Sequence, residues 1–238
     1  MTVTLDWPPV YTIKQHPRAR HVKLKASIHH GLEVVVPPRF NQKNILKILE
    51  ENKNWIQKQL EKIQKKLQQS PVDKLAEAII LSAVAQKWSV HYIKSDNKKL
   101  RLIARPTQEL VLMGDIENKI ACKKILSRWT KQQAKNHLIS ELKKLSEQLQ
   151  LSFKKVVIRG QQTLWGSCSV DKAINLNYKL LFLPPHLARH VMIHELCHTI
   201  YLNHSAKFWR LVAKFDENWK EHTRELRRAD QHMPMWLL

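Results

Sequence analysis

Apolar residues recur at steps of three, four and seven along residues 45–67, and this spacing predicts an amphipathic helix. Asn41 is placed to cap that helix, which is expected to end near Gln69. Two short β-prone runs precede it, at 21–28 and 32–37. The segment between these runs contains two histidines and a glycine, so the runs are predicted to form a hairpin with an exposed turn.

More β-prone sequence and a long helical pattern follow. Residues 87–94, 99–105 and 109–113 predict three strands joined by polar turns. A helical pattern then begins near Glu117, and Trp129 in its apolar stripe is interpreted as a core residue. The members of that stripe are Cys122, Leu126, Trp129, Leu138, Leu142, Leu145 and Leu149.

The last third of the chain alternates short strands with helices. Strands are predicted at Lys155–Arg159 and Ala173–Asn177, with a turn over Trp165–Ser169 between them. Helices are predicted to begin at Pro184-Pro185, at Ser205 as an N-cap, and at Glu217, the last one running to about Gln231.

This order of elements predicts an α+β fold. Residues 1–115 are expected to form a β-rich N-terminal region of antiparallel strands with one long helix, and residues 116–238 a helix-rich region. Because no spacer or internal repeat separates the two regions, they are predicted to form one continuous domain.

The charge of the chain is strongly positive. Lysine and arginine total 41 against 20 acidic residues, which gives a formal charge of +21. Such an excess attracts polyanions and favours a nucleotide or nucleic-acid partner. The basic residues are dispersed, so a soluble basic surface without such a partner explains them equally well.

Cysteine usage and hydropathy bear on the compartment. Cys122, Cys168 and Cys197 form no CxxC pair, which is typical of a reduced compartment. No apolar run is long enough for a transmembrane segment, and the first residues lack the pattern of a secretion signal. The sequence therefore predicts a cytoplasmic protein.

One short motif carries the candidate chemistry. His194-Glu195-Leu196-Cys197-His198 matches HExxH, and residues four apart lie on one face of a helix. Two histidines at that spacing can bind one zinc ion, while Glu195 can act as general base toward a metal-bound water. Catalytic zinc takes three protein ligands and keeps one position open. His204 is the expected third ligand.

His204 can reach the ion only if the backbone reverses after the helix. Asn203 is expected to make that turn, because asparagine tolerates the left-handed conformation that commonly ends helices. The metzincin pattern HExxHxxGxxH has the same interval but places glycine where this chain has Tyr201, which argues against a true metzincin. Glu217 stays open as a rival third ligand from a later helix.

Other residues near the motif have less distinctive positions. His186 and His190 lie about two turns and one turn before His194, and a capping or supporting role is preferred for them over a fourth ligand. His222 is interpreted as part of a solvated helix face, with stabilisation of transition-state charge as the alternative. Cys197 is interpreted as a small buried apolar side chain.

Three segments carry a resemblance to a known family: WGSCS at 165–169, INLNYKL at 174–180 and HELCHTIYLNHSAKFW at 194–209. They resemble the YgjP-like metal-dependent hydrolases. These are also described as domain-of-unknown-function-45 metallopeptidases and are distantly related to SprT-type zinc proteases. The resemblance covers nearly the whole chain.

The resemblance implies a zincin-like fold. It implies one Zn²⁺ bound by His194, His198 and His204, with Glu195 as the catalytic residue. It also implies that the WGSC segment lies beside the site, although maintenance of the fold explains that segment equally well. The residues expected to line the cleft or to support the ligands are Trp165, Gly166, Ser167, Asn177 and Asn203.

Three functions stay open at this point. The preferred one is a zinc-dependent peptidase acting on a peptide or protein. The second is a metal-dependent nucleotide phosphohydrolase acting on a substrate such as UTP. The charge favours it, but the sequence has no GxxxxGK[ST] loop and no acidic cluster for magnesium. The third is a basic nucleic-acid-binding protein with a structural metal, which would have no use for Glu195.

Overall fold

The computed structural model describes residues 7–17, 19–27, 31–69, 75–97, 99–161 and 163–237. The chain forms two compact units, which divide after Lys74. Each unit combines helices with small sheets. The predicted α+β class is therefore confirmed.

The first unit contains a three-stranded sheet and two helices. Its strands are β1 (Tyr11–Gln15), β2 (Lys23–Ser27) and β3 (Gly31–Val36), and its helices are α1 (Ile45–Glu51) and α2 (Lys53–Gln69). The central strand β3 pairs in parallel with β1 and antiparallel with β2. The antiparallel arrangement predicted for residues 1–115 was therefore wrong for β1 and β3, and also for residues 86–94 and 109–114, which pair in parallel, because strand direction depends on which segments meet. The hairpin strands agree with the prediction, whereas most of their predicted turn lies outside the described residues. Strand β1 was missed, because its side chains are mostly exposed and show no apolar alternation.

One break divides the single helix predicted to follow β3. At Asn52 the φ of −109° and ψ of 13° leave the helical region. The side-chain amide of Asn52 donates a hydrogen bond of 2.8 Å to the Ile48 carbonyl. Backbone bonds from Asn52 to the Ile48 carbonyl and from Ile56 to the Asn52 carbonyl continue across the break, so α1 and α2 are separated by the dihedral angles of this one residue. Asn41 is a cap, as predicted, but of a short 3-10 turn at Gln42–Asn44.

The second unit begins with a four-stranded sheet. Its strands are β4 (Ala78–Leu81), β5 (Gln86–Lys94), β6 (Arg101–Arg105) and β7 (Glu109–Gly114), in the order β4-β5-β7-β6. The sequence predicted all of these strands except β4, a four-residue run too short for its periodicity to be diagnostic.

The long helix α3 (Lys119–Leu149) follows this sheet. Asn118 caps it by accepting a hydrogen bond from the Ala121 amide, and the predicted apolar stripe is buried almost throughout. Trp129 packs edge-to-face on Trp88 of β5 at 5.0 Å between ring centroids, which confirms it as a core residue. The change from strands to helices near residue 115 therefore lies inside the second unit, where sheet and helix share a core.

A second small sheet of this unit positions the WGSC segment beside the helices. Strands β8 (Lys155–Arg159) and β10 (Ala173–Asn177) have the predicted bounds and pair in parallel. Strand β9 (Gly166–Cys168) occupies the edge and pairs antiparallel with β10. The turn predicted over Trp165–Ser169 was wrong for these three residues, because their pairing with β10 makes them a strand.

Three helices complete the second unit: α4 (Pro185–Cys197), α5 (Ala206–Phe215) and α6 (Trp219–Leu226). Pro185 occupies the first turn of α4, where a missing amide hydrogen costs nothing. Ser205 caps α5, as predicted. The charged helix expected from Glu217 to Gln231 is shorter than predicted, and a 3-10 turn at Ala229–His232 follows it.

None of the helices among the described residues has the length and apolar character needed to cross a membrane. All three cysteines are free, and Cys197 is fully buried, which confirms its interpretation as a small apolar side chain. Cytoplasmic localisation stays a prediction.

Candidate metal centre

Three imidazoles converge where α4 ends. His194 lies in the last turn of α4, His198 follows the helix directly, and His204 lies in the loop before α5. The Nε2 atom of His194 is 3.1 Å from Nε2 of His198 and 3.0 Å from Nε2 of His204. One potential ligand atom of each of the three rings lies within 4.8 Å of the others. The structure thus brings together the three histidines that the sequence singled out.

Hydrogen bonding determines which nitrogen of His198 faces the cluster. Its Nδ1 lies 2.9 Å from the Tyr201 carbonyl oxygen. A carbonyl can only accept, so Nδ1–H is the donor and a neutral ring leaves a lone pair on Nε2. The turn after α4, in which the Ile200 and Tyr201 amides both donate to the Cys197 carbonyl, places that acceptor.

The cluster also keeps its central ring neutral. Burial, followed by the neighbouring imidazoles of His198 and His204, lowers the pKa of His194 to about 3. Burial likewise lowers the pKa of His198. Neutral imidazoles are the form that binds metal ions.

Aromatic side chains of α5 support the rings. Phe208 is fully buried and stacks on His198 at 4.4 Å between ring centroids. Trp209 stacks on His204 at 5.5 Å. Because His204 is exposed and comes from a loop, this stacking and the Ser205 cap of α5 are what restrain its orientation.

Glu195 lies next to the cluster, in a dry environment. It is 5% exposed, and its Oε2 atom is buried without a hydrogen-bond partner among the described residues. Burial raises the pKa of Glu195 to about 8. A buried carboxylate oxygen without a partner is unfavourable unless a ligand, a water or an ion satisfies it.

The backbone of β9 approaches this carboxylate closely. A β-carbon built on Gly166 would lie 2.6 Å from Oε1 of Glu195, closer than real β-carbons come. Only glycine therefore fits at residue 166 with the glutamate in this position. This contact explains why the WGSC segment lies beside HELCH.

A cavity of about 330 Å³ opens beside Glu195 and His194. Its walls come from α4, from the segment before β9, from α5 and from the end of α6, and they are largely apolar. The residues outside α4 include Trp165, Gly166, Trp209, Thr223, Leu226 and Arg227. Another cavity of similar volume, about 350 Å³, is lined by residues of α3 and the start of α4 and contains no member of the histidine cluster.

The other residues expected at the site have different positions. Trp165 and Gly166 line the cavity. Asn177 is buried and donates to the carbonyls of Gln161 and Leu164, so it holds the segment that leads to Trp165. Ser167 accepts a hydrogen bond from Asn175 within the sheet.

The expectation for the backbone of Asn203 was wrong. Asn203 is not among the residues with positive φ in the described part of the chain. Its side-chain oxygen instead accepts a hydrogen bond of 3.3 Å from the Ser205 amide. The chain reverses through the turn at the Cys197 carbonyl, so a left-handed residue is not required.

A second group of potential ligand atoms adjoins the first and consists of His190, Asp216 and His222. His222 was interpreted as part of a solvated helix face, but it is hydrogen-bonded to Asp216 and only 17% exposed. The rival ligand Glu217 belongs to neither group, and His186 bonds to Glu225 at 3.0 Å on the surface.

Sequence reasoning missed Asp216 and the α6 residues of the cavity wall. Thr223, Leu226 and Arg227 have the i, i+3, i+4 spacing of one helix face. The charged residues around these three made the segment look like a solvated helix, so this face was not recognised from the sequence. Trp209 was inside the segment that carried the family resemblance, but only its stacking on His204 reveals a role.

The chemistry of the donor set fits a metal ion. Tetrahedral zinc with bonds of about 2.1 Å separates its nitrogen ligands by about 3.4 Å, a few tenths of an ångström more than the His194 distances. The neutral rings and the unpartnered Glu195 oxygen agree with a cation and a water beside them. Fold and site together define an α+β protein of the metal-dependent hydrolase class.

Comparison with known families specifies this class further. The model of the YgjP-like metallopeptidase domain matches residues 20–229, and the chain belongs to that family. The resemblance predicted from the sequence is thereby confirmed. No curated protein and no solved structure matches the chain.

Proposed function

We propose that this protein is a zinc-dependent peptidase in which His194, His198 and His204 bind the metal through Nε2. The observation that carries the proposal is the buried Glu195 carboxylate without a hydrogen-bond partner among the described residues, next to three converging imidazoles. A purely structural zinc site is closed by four protein ligands and has no need of such a carboxylate.

When bound, zinc supplies Lewis acidity that polarises a substrate carbonyl and makes a water more acidic. Glu195 acts as the general base that accepts a proton from the attacking water. Its unpartnered Oε2 is the atom available for that proton. The same carboxyl group then returns the proton to the leaving amine, so the residue ends each cycle unprotonated.

The position of β9 supports a peptide substrate. It is an edge strand that pairs only with β10 among the described strands, and Gly166 at its start lines the cavity. An extended peptide can add to such an edge through main-chain hydrogen bonds. The apolar walls formed by Trp165, Trp209 and Leu226 then accommodate side chains of the substrate.

The decisive experiment compares wild-type protein with Glu195→Gln after zinc loading. Casein hydrolysis is expected to fall by at least about 100-fold, the contribution of a general base, while zinc content stays at one ion per chain. Glu217→Gln removes an exposed carboxylate outside the site and is expected to leave both readouts unchanged. Full activity of the Glu195 variant, or loss of its zinc, would show that the assigned role is wrong.

One observation favours the second candidate, a nucleotide phosphohydrolase. Arg227 provides a cation in the cavity wall, and the excess of basic residues would attract a polyanion. Zinc-loaded protein offered UTP, with Arg227→Gln and its exposed neighbour Arg228→Gln as a matched pair, tests this candidate. UTP hydrolysis that falls in the first variant and persists in the second would support it. Nucleic-acid binding by the basic surface stays a prediction.

A further inference from the structure

A chain of hydrogen bonds joins α4 to α6 along one wall of the cavity. Oδ2 of Asp216 lies 2.5 Å from Nδ1 of His190 and 2.9 Å from Nδ1 of His222. Nε2 of His190 lies 3.2 Å from Oγ1 of Thr223. The side chains of His190 and Asp216 are 2% and 8% exposed, so these bonds are shielded from water.

The direction of each bond follows from the chemistry of the partners. A carboxylate oxygen only accepts, so the Nδ1–H of His190 donates to Asp216. A neutral imidazole carries one hydrogen, and the 2.5 Å bond to Asp216 assigns it to Nδ1 of His190. Its Nε2 is therefore an acceptor, and the single hydroxyl hydrogen of Thr223 is committed to it.

Thr223 also lines the cavity, together with His194 and Glu195. An oxygen whose only hydrogen is committed can offer only lone pairs to a ligand. We propose that Thr223 is a specificity-determining acceptor, which Asp216 and His190 orient to bind an N–H group of the substrate. Asp216 and His190 act through Thr223 and are positioning residues.

This inference rests on the proposed peptidase function, because the main-chain N–H groups of a peptide supply the required donor. Phosphate oxygens, by contrast, are acceptors and would meet the Thr223 oxygen unfavourably. The α6 wall thus favours a polyamide over the phosphate chain of a nucleotide at this position.

The protonation pattern can be measured without any hydrolysis. Zinc-loaded protein labelled with ¹⁵N-histidine reports, through the nitrogen chemical shifts of His190, which ring nitrogen carries the hydrogen. We expect Nδ1 to be protonated and Nε2 unprotonated at neutral pH. A proton on Nε2 would free the Thr223 hydroxyl to donate and would overturn the proposal.

The ligand preference can be measured by calorimetry with a tetrapeptide hydroxamate, whose hydroxamate group binds zinc. Analogues in which one ester oxygen replaces one main-chain N–H remove a single donor at a time. Wild-type protein is expected to bind one of these analogues about 10-fold more weakly than the parent, as expected for one lost hydrogen bond.

Matched variants show whether Thr223 is responsible for this loss of affinity. Thr223→Val removes the acceptor at nearly constant volume and should bind the parent and that analogue equally, whereas Thr223→Ser should restore the difference. Thr163→Val changes another cavity-lining threonine and should retain the difference. Equal binding of all analogues by wild-type protein, or an unchanged difference in Thr223→Val, would refute the role of Thr223. Absence of casein hydrolysis alongside the expected binding pattern would count against the peptidase function alone.

Discussion

Gly166 and Glu195 touch across the junction of β9 and α4. A β-carbon at residue 166 would lie 2.6 Å from Oε1 and 2.7 Å from Cγ of the glutamate. Two motifs that are nearly thirty residues apart in the sequence therefore form one site, in which a glycine leaves room for the proposed base.

Gly166→Ala is expected to displace the Glu195 carboxylate and to lower kcat for casein by about 100-fold, since displacements near 1 Å have effects of that size. Zinc content should stay at wild-type level, because the added methyl group would contact Glu195 and not the three histidines. Ser167→Ala, which changes the next residue of β9, serves as the control. Wild-type kcat in the alanine variant would contradict the steric explanation.

His204→Ala should weaken zinc binding by at least about 100-fold. Loss of a hydrogen bond that supports a ligand already lowers metal affinity by up to about 100-fold, and loss of the ligand itself should lower it more. Competition with a metal chelator of known affinity measures the change. Glu217→Gln should have wild-type affinity. If instead the glutamine variant lost zinc and the alanine variant kept it, Glu217 would be the third ligand.

The contribution of Glu195 to the stability of the metal-free protein should decrease as the pH rises from 6.5 to 8. Burial raises the pKa of Glu195 from 4.5 in the unfolded chain to about 8, so the folded state binds more protons in this window and rising pH favours unfolding. The expected loss is about 2 kcal/mol, from 1.4 kcal/mol per pH unit.

The buried histidines act in the opposite direction. Burial lowers the pKa of His194 and His198 below the ordinary 6.5, so the unfolded chain still binds protons near pH 6.5 and their contribution to stability rises with pH. The contribution of Glu195 is therefore the difference in slope between wild type and Glu195→Gln. Urea denaturation of chelator-treated protein measures both slopes, and equal slopes would assign the effect to another group.

Asp216→Ala should lower the free energy of unfolding by about 1–3 kcal/mol, the cost of leaving a buried polar partner unsatisfied. The Nδ1–H groups of His190 and His222 would both lose their acceptor. Chemical denaturation provides the measurement. Glu221→Gln changes an exposed acidic residue of α6 and should remain within about 0.5 kcal/mol of wild type.

The sequence predicted those elements whose apolar pattern repeats over a long segment, and those residue pairs that local spacing alone brings together. The sustained apolar stripe predicted α3, and the short runs at Lys155–Arg159 and Ala173–Asn177 predicted β8 and β10 with their observed bounds. The i, i+4 spacing of His194 and His198 predicted that their rings meet, because one helix turn suffices to bring them together.

Elements whose identity depends on a distant partner were not predictable. Strand β9 is a strand only because β10 pairs with it, and β4 is too short for its own pattern to identify it. The break between α1 and α2 was also not predicted, because the apolar spacing continues across Asn52, whose dihedral angles leave the helical region.

The sequence by itself determined the family, the α+β class and the histidines and glutamate that meet at the candidate site, since a short motif places those residues through local helix geometry. Only the tertiary structure decided that Glu195 is buried against Gly166, that Thr223 of a later segment lines the cavity, and that Asp216 is joined to Thr223 through His190. Burial, hydrogen-bond direction and close backbone contact depend on which distant segments pack together. The spacing of residues along the chain does not show which segments those are.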